Sequence, residues 1–103
     1  DGHRFLAVCD NDGTTSSLSA GSESPFGAFA MTGNVWEWTS DWYAVPSSTS
    51  PVLNPTGPES GTMRVQKGGG WLALGPEDLR AAQRGSMTPD TRVNDVGVRC
   101  AAP

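Results

Sequence analysis

The sequence predicts a small domain of short strands joined by long loops, with little helix. Its 103 residues include 13 glycines and 8 prolines, residue types that interrupt regular elements and favour turns. No long segment shows the 3.6-residue apolar period of a helix, whereas residues 36–42 alternate with the two-residue period of a strand. A chain of this length buries only about 60–65% of its unfolded surface, so we expect a thin core.

The elements follow one another in a simple order. Residues 5–9 form a short apolar run that predicts a buried strand, and Asp-Asn-Asp-Gly at 10–13 predicts a turn. The many serine, threonine and glycine residues predict a loop at 14–25, and four prolines predict another at 44–62. Beyond that loop we expect strands at 63–66, 79–84 and 96–101, and either one helical turn or a loop at 76–78.

The charge and hydropathy of the chain argue against two classes of partner. The formal net charge is −4 and Lys67 is the only lysine, which disfavours nucleic acids and anionic membrane surfaces. No apolar run approaches the ~20 residues that span a bilayer. We therefore expect a protein or a small molecule as the partner, with no nucleic acid and no membrane.

Three of the four tryptophans lie within residues 36–42. Strand alternation places Glu37 on one face and the rings on the other, so we expect Trp36 and Trp38 to be largely buried structural residues. A carboxylate beside so much ring surface must be hydrated, paired or metal-bound, because burying it alone is too costly. The face that carries the rings comprises Trp36, Trp38, Ser40 and Trp42.

Four motifs together resemble the formylglycine-generating enzyme (sulfatase-modifying factor) family. They are Gly-Asn-Val-Trp-Glu-Trp with Asp-Trp-Tyr at 33–43, Arg-Val-Gln-Lys-Gly-Gly-Gly-Trp at 64–71, Leu-Arg-Ala-Ala-Gln-Arg at 79–84, and Thr-Pro-Asp with Val-Gly-Val-Arg-Cys-Ala-Ala at 88–102. Their order and spacing are close to those of the family, and they cover roughly residues 24–103.

This resemblance implies an α+β fold of the C-type-lectin-like, sulfatase-modifying-factor kind. Family members are usually longer, and this chain begins at Asp1 and not at Met. We therefore expect residues 1–103 to be a single domain that corresponds to the C-terminal portion of a formylglycine-generating-enzyme-like domain.

The catalytic residues of the family have no counterpart in this sequence. Active members oxidise a substrate cysteine to formylglycine with copper and oxygen, using two cysteines just after the segment that 68–71 resembles. Residues 72–78 contain no cysteine, Ala73 stands at the first thiol position, and Gly70 replaces the family's serine. Because monovalent copper needs soft thiolate ligands, we expect neither copper nor a catalytic residue here.

The resemblance also implies a calcium site. Its ligands would be the backbone carbonyls of Gly33 and Val35 and the carboxylate of Glu37, all hard oxygen donors that suit calcium. The family's further side-chain ligand is replaced by Ala30, which predicts weak binding. The alternative is that Glu37 pairs with an arginine, such as Arg80 or Arg99.

The arginines are predicted to be structural. If 79–84 is a strand, Arg80 and Arg84 project on the same face. We expect them and Arg99 to clamp carboxylates rather than form a basic binding patch, since guanidinium groups pair with carboxylates in bidentate geometry. The candidate carboxylates are Glu37, Asp41 and Asp90.

The chain has two cysteines, Cys9 and Cys100. In the resembled family the cysteine that corresponds to Cys100 forms a structural disulfide, and Cys9 is the partner available for it here. Two free thiols are the alternative. A bridge would favour an exported or periplasmic protein; without it the sequence does not indicate a compartment.

Three classes of function follow from these residues. The sequence favours a non-catalytic binding or regulatory module, and points away from enzymatic activity of this chain alone. One alternative is the substrate-pocket domain of an iron-dependent sulfoxide synthase type of enzyme, although His3 alone cannot supply an iron site. The other is a lectin-fold module that displays a ligand-binding surface.

Overall fold

The computed structural model describes residues 23–46, 51–73 and 75–102, and within them the chain builds a four-stranded sheet in the order β3-β2-β1-β4. The strands are β1 (Trp36–Trp42), β2 (Arg64–Lys67), β3 (Gly85–Met87) and β4 (Val96–Gly97). β2 pairs antiparallel with β1 and with β3, whereas β4 runs parallel to β1. The helical content of the described residues is one 3₁₀ turn, Pro76–Leu79, so the prediction of short strands with little helix is confirmed.

β1 is the longest strand and carries a bulge. Trp38 pairs with Gln66 and Trp42 pairs with Arg64, so four positions along β1 match two along β2. Paired residues project on the same side of a sheet. The bulge therefore keeps Trp38 and Trp42 on one face, with Arg64 beside them.

The tryptophan rings pack against glycines. A Cβ atom at Gly70 would lie 3.0 Å from Cδ1 of Trp36, and one at Gly61 would lie 3.0 Å from Cβ of Trp42. Such close approach of ring to backbone explains why small residues stand at these positions. Trp36 and Trp38 both retain partial exposure to solvent and are less enclosed than alternation alone predicts.

The core is thin, as the length of the chain predicts. Among the described residues the buried apolar side chains are Ala30 and Val65, and the buried polar ones are Asn34 and Gln66. Gln66 is only 2% exposed, and its amide nitrogen has no hydrogen-bond partner. Several large apolar side chains remain exposed, among them Phe26, Leu53 and Val98.

The predicted strand at 79–84 is wrong. Leu79 ends the 3₁₀ turn, and the next residues form a turn in which the Gln83 amide donates to the Arg80 carbonyl at 2.9 Å. Pro76 explains the difference, since its fixed φ favours the first position of a helical turn. Of the two alternatives for 76–78, the structure has the helical turn, and β3 begins only at Gly85.

The other predicted elements differ mainly in their ends. The strand predicted at 63–66 is β2, shifted by one residue, and the strand predicted at 96–101 is limited to the two residues of β4. The predicted strand at 5–9 lies outside the described residues. In the proline-rich loop the described part packs back on β1, where Gly57 adopts a φ of 74° beside Asp41.

The first prediction concerns Gly69, which has a φ of 73° and whose added Cβ would lie 2.8 Å from Leu79 Cδ2 and 3.0 Å from the Asp78 carbonyl oxygen. Gly69→Ala should lower the free energy of unfolding by roughly 2–5 kcal/mol, because left-handed backbone strain of about 1–2 kcal/mol adds to overpacking of about 1–3 kcal/mol. Urea unfolding followed by tryptophan fluorescence measures the loss.

Gly27→Ala is the matched control. Gly27 has a similar φ of 80°, but its added Cβ would meet only a carboxylate oxygen of Glu23 at 3.5 Å. This variant should show the backbone strain alone. Equal losses for the two alanine variants would contradict the close packing of Gly69 on the 3₁₀ turn.

Candidate functional site

The candidate site centres on Glu37, in the middle of the sheet. In β1, Glu37 lies opposite Lys67 of β2 on one side and opposite Gly97 of β4 on the other. Arg99 follows Gly97 by two residues, so the parallel pairing of β4 brings its side chain beside Glu37. The site thus depends on two segments that lie 62 positions apart in the chain.

Arg99 and Glu37 form a bidentate ion pair. Arg99 Nη2 lies 2.7 Å from Glu37 Oε1, and Arg99 Nε donates to Oε1 at 3.0 Å and to Oε2 at 2.9 Å. The side chains are 36% and 20% exposed, respectively. The hydrogen bonds that Arg99 donates to Glu37 raise the pKa of Arg99 above its ordinary value, against an opposing effect of burial, so the guanidinium remains charged.

The same guanidinium also holds a loop. Arg99 Nη2 donates to the carbonyls of Phe29 at 2.9 Å and Ala30 at 3.1 Å. Ala30 has a φ of 52°, a left-handed conformation that is costly for a residue with a side chain. Arg99 therefore ties the loop before β1 to both strands of the parallel pair.

The triple glycine, residues 68–70, docks on the loop that precedes β1. The Gly33 amide donates to the Gly68 carbonyl at 2.7 Å, and the Trp71 amide donates to the Asn34 carbonyl at 2.9 Å. Gly33 and Asn34 both have positive φ values, 81° and 65°. This backbone pairing places the first and second sequence motifs in direct contact.

These contacts suit an arginine clamp better than a calcium ion. Both carboxylate oxygens of Glu37 accept hydrogen bonds from Arg99, and so does the carbonyl of Ala30. Of the partners considered for Glu37, the structure has Arg99; calcium at Gly33, Val35 and Glu37 stays a prediction.

Arg80 and Arg84 do not clamp carboxylates as expected. Arg80 Nε donates to the Glu77 carbonyl at 3.3 Å, one of the acceptors left open where the 3₁₀ turn ends. Arg84 Nη2 donates to the Ala44 carbonyl at 3.0 Å, and its guanidinium lies 5.0 Å from the centre of the Tyr43 ring. The two residues hold loops through backbone carbonyls, because neither lies on the strand predicted for 79–84.

Arg64 is a structural residue that sequence reasoning missed. Its guanidinium carbon lies 3.5 Å from the centre of the Trp42 ring, and Nη1 donates to the Ser40 carbonyl. A guanidinium over an indole is a favourable cation–π contact. No local pattern in the sequence signals this contact, because it depends on the pairing of Arg64 with Trp42 across β1 and β2.

The segment that carries the catalytic thiols in the resembled family is described here apart from residue 74. The Ala73 amide donates to the Gly70 carbonyl at 3.1 Å, and the 3₁₀ turn follows. Cys100 is exposed and has a free thiol. Cys9 lies outside the described residues, so a bridge between the two cysteines stays a prediction.

Two clefts are lined in part by Lys67. The Arg84 cleft has a volume of about 360 Å³, and its lining includes Thr39, Asp41, Trp42, Pro58, Lys67 and Arg84. The Arg80 cleft has a volume of about 230 Å³, and its lining includes Met31, Glu37, Lys67, Leu79, Arg80 and Ala81. The Lys67 ammonium donates to the Ala81 carbonyl at 2.6 Å.

This geometry defines a class of domain that is built from strands and loops. Its organising contacts are the glutamate clamped by an arginine and the triple glycine that pairs with the loop before β1. The chain belongs to the sulfatase-modifying factor enzyme 1-like domain family, whose profile matches residues 2–103. The resemblance of the four motifs is thereby confirmed. In the described residues no helix has the length and apolar character needed to cross a membrane.

Three similar proteins show how widely this domain occurs. A formylglycine-generating enzyme of Mus musculus is 41% identical over 90 residues, which are 85% of this chain and 24% of that protein. A serine/threonine-protein kinase pkn1 of Chlamydia pneumoniae is 37% identical over 84% of this chain and 14% of that protein. The structure of Treponema denticola variable protein 1 matches with a TM-score of 0.78 and 27% identity over 89% of this chain and 34% of its own.

These matches confirm the predicted fold, α+β and C-type-lectin-like with little helix. The chain spans about a quarter of the length of the formylglycine-generating enzyme that it matches. The comparisons therefore establish the domain family, while the activity of a whole protein is a separate matter.

The second prediction concerns the ion pair between Glu37 and Arg99. A double-mutant cycle with Glu37→Gln, Arg99→Gln and the double variant should give a coupling energy of roughly 1 kcal/mol, near the upper end for partly exposed pairs because the contact is bidentate. Urea unfolding of all four proteins supplies the values. If the two single variants lose amounts of unfolding free energy that add up to the loss in the double variant, the coupling energy is zero and the ion pair does not stabilise the fold.

The third prediction distinguishes the arginine from calcium. A ligand that binds only the folded state raises its stability by mass action, so a calcium site would raise the melting temperature and a chelator would reverse the gain. Because Arg99 occupies both oxygens of Glu37, we expect millimolar calcium to leave the melting temperature unchanged. A calcium-dependent increase that Glu37→Gln abolishes would instead establish the site at Gly33, Val35 and Glu37.

Proposed function

We propose that this chain is a formylglycine-generating-enzyme-like domain that binds or regulates and does not itself catalyse. The observation that carries the proposal is the lack of cysteine in residues 72–78, the segment that provides the two thiols in active members of the family. Thiolates are the ligands that hold monovalent copper. The methyl group of Ala73 offers no such ligand.

The scaffold around that segment supports a binding role, because it is retained. The triple glycine docks on the Gly33–Asn34 loop, Trp36 packs against Gly70, and Arg99 clamps Glu37. These contacts stabilise the fold independently of any thiol. A chain that keeps the scaffold without the reactive groups is suited to present a surface.

The range of similar proteins also supports this proposal. The domain occurs in proteins named as a formylglycine-generating enzyme, a serine/threonine-protein kinase and a variable protein. Since one fold can host unrelated functions, membership of the family does not by itself imply oxidation of cysteine. The likeness to the variable protein favours the second candidate, a lectin-fold module that displays a ligand-binding surface.

The fourth prediction is that the chain does not form formylglycine. Purified protein is incubated with copper, oxygen and a Cys-x-Pro-x-Arg peptide, and the aldehyde is sought by mass spectrometry. We expect the yield to equal that of a reaction without protein, because residues 72–78 supply no thiolate. An active formylglycine-generating enzyme is the positive control, and turnover well above background would refute the proposal.

We also propose a disulfide between Cys9 and Cys100, and infer from it that the protein is exported to an oxidising compartment. A bridge over nearly the whole chain would stabilise it by roughly 3–5 kcal/mol if unstrained, a large gain for a domain with so thin a core. Disulfides persist in oxidising compartments. The free and exposed thiol of Cys100 is the competing arrangement.

The fifth prediction is therefore a thiol count. Protein isolated without reductant and then unfolded should show no thiol reactive towards Ellman's reagent, and two after reduction. Cys100→Ser should lower the melting temperature to that of the reduced protein. Two reactive thiols in protein that has been exposed to an oxidising glutathione buffer would rule out the bridge and the argument for export.

A further inference from the structure

The Arg84 cleft combines two cations with an apolar wall. Lys67 and Arg84 line it together with Thr39, Trp42 and Pro58. Its volume of about 360 Å³ falls within the range of small-molecule sites, which are concave and mostly apolar with a few convergent polar groups. The cleft lies outside residues 72–78, where the active members of the family carry their thiols.

Both cations are positioned by a backbone carbonyl and retain further donors. Lys67 Nζ donates to the Ala81 carbonyl, and an ammonium has three N–H groups. Arg84 Nη2 donates to the Ala44 carbonyl, and a guanidinium has five. These contacts fix where the charges lie without neutralising them.

The described residues supply no carboxylate partner to either cation. The ion pair of the described chain joins Arg99 to Glu37, and Asp41, the acidic residue that lines the Arg84 cleft, pairs with neither Lys67 nor Arg84. The chain has a net charge of −4, so the two cations that line this cleft give it more positive charge than the protein has as a whole.

We propose that the Arg84 cleft binds the carboxylate of a small acid or of a peptide C-terminus, with Lys67 and Arg84 as its charge partners and Trp42 and Pro58 as its apolar wall. The planar guanidinium matches a carboxylate in bidentate geometry, and the ammonium adds a point charge. The Asp41 carboxylate also lines the cleft and lowers its net positive charge. This inference deepens the proposed binding function by naming a site and a ligand chemistry, and it rests on that function.

The experiment is a titration of the purified chain with succinate, with a short apolar peptide that has a free C-terminus, and with the same peptide amidated. Because Trp42 lines the cleft, tryptophan fluorescence and amide chemical shifts report binding. Saturable binding of succinate or of the free peptide, with shifts at Thr39, Lys67 and Arg84, is the expected result. The two carboxylate ligands distinguish a small acid from a peptide end as the source. Equal binding of the free and amidated peptides, with none of succinate, would overturn the proposal.

Variants separate the site from general charge. Arg84→Gln and Lys67→Gln should each weaken binding about tenfold, the loss of one charge-assisted hydrogen bond. Arg92→Gln is the matched control, since Arg92 is exposed and does not line the cleft, and it should bind as the unmodified chain does. A loss for Arg92→Gln as large as that for Arg84→Gln would overturn the proposal.

One variant remains informative if the others fold poorly. Asp41→Asn removes a negative group from the lining of the cleft and should tighten carboxylate binding, which is a gain that structural damage does not produce. Weaker or unchanged binding in a folded Asp41→Asn protein would overturn the carboxylate assignment. The oxidation assay is independent of these titrations: formylglycine production refutes the non-catalytic role, whereas loss of carboxylate binding refutes only this cleft.

Discussion

The contact between Arg99 and Glu37 is the interaction on which the rest of the described structure depends. Glu37 lies on the central strand, Arg99 follows the parallel edge strand, and the guanidinium also reaches the carbonyls of Phe29 and Ala30. One side chain thus joins β1, β4 and the loop that enters β1. The described part of the domain has few buried apolar side chains, so polar contacts of this kind supply stability that a larger apolar core would otherwise provide.

This division of labour explains the usage of arginine. Arg64, Arg84 and Arg99 each donate to a backbone carbonyl of a distant loop or strand, and two of them also lie over aromatic rings. A lysine could not make these contacts together, because it lacks the planar fork of the guanidinium. The chain accordingly holds its loops with arginine and has a single lysine.

Much of the fold could be predicted from the sequence, and the errors have identifiable causes. The alternation of the tryptophan run fixes β1, and Pro76 marks the 3₁₀ turn, because both signals are local. The strand at 79–84 was wrong, since an apolar-and-arginine pattern does not reveal that Leu79 completes a helical turn. The bulge in β1 and the position of Arg64 over Trp42 arise from pairing with β2, which no local pattern encodes. Arg99 could be named as one of two partners for Glu37, but the choice requires the parallel pairing of β4.

The parallel pairing of β1 with β4 has a consequence for the order in which the domain forms. Glu37 and Arg99 are 62 positions apart, so closing this pair carries the loop entropy of most of the intervening chain. Non-local pairing of this kind slows folding relative to local contacts. During synthesis the central strand and its loops leave the ribosome well before Arg99 does. Over that interval Glu37 lacks its partner and β1 has an open edge, which makes the nascent chain dependent on early pairing with β2 to avoid association with other chains.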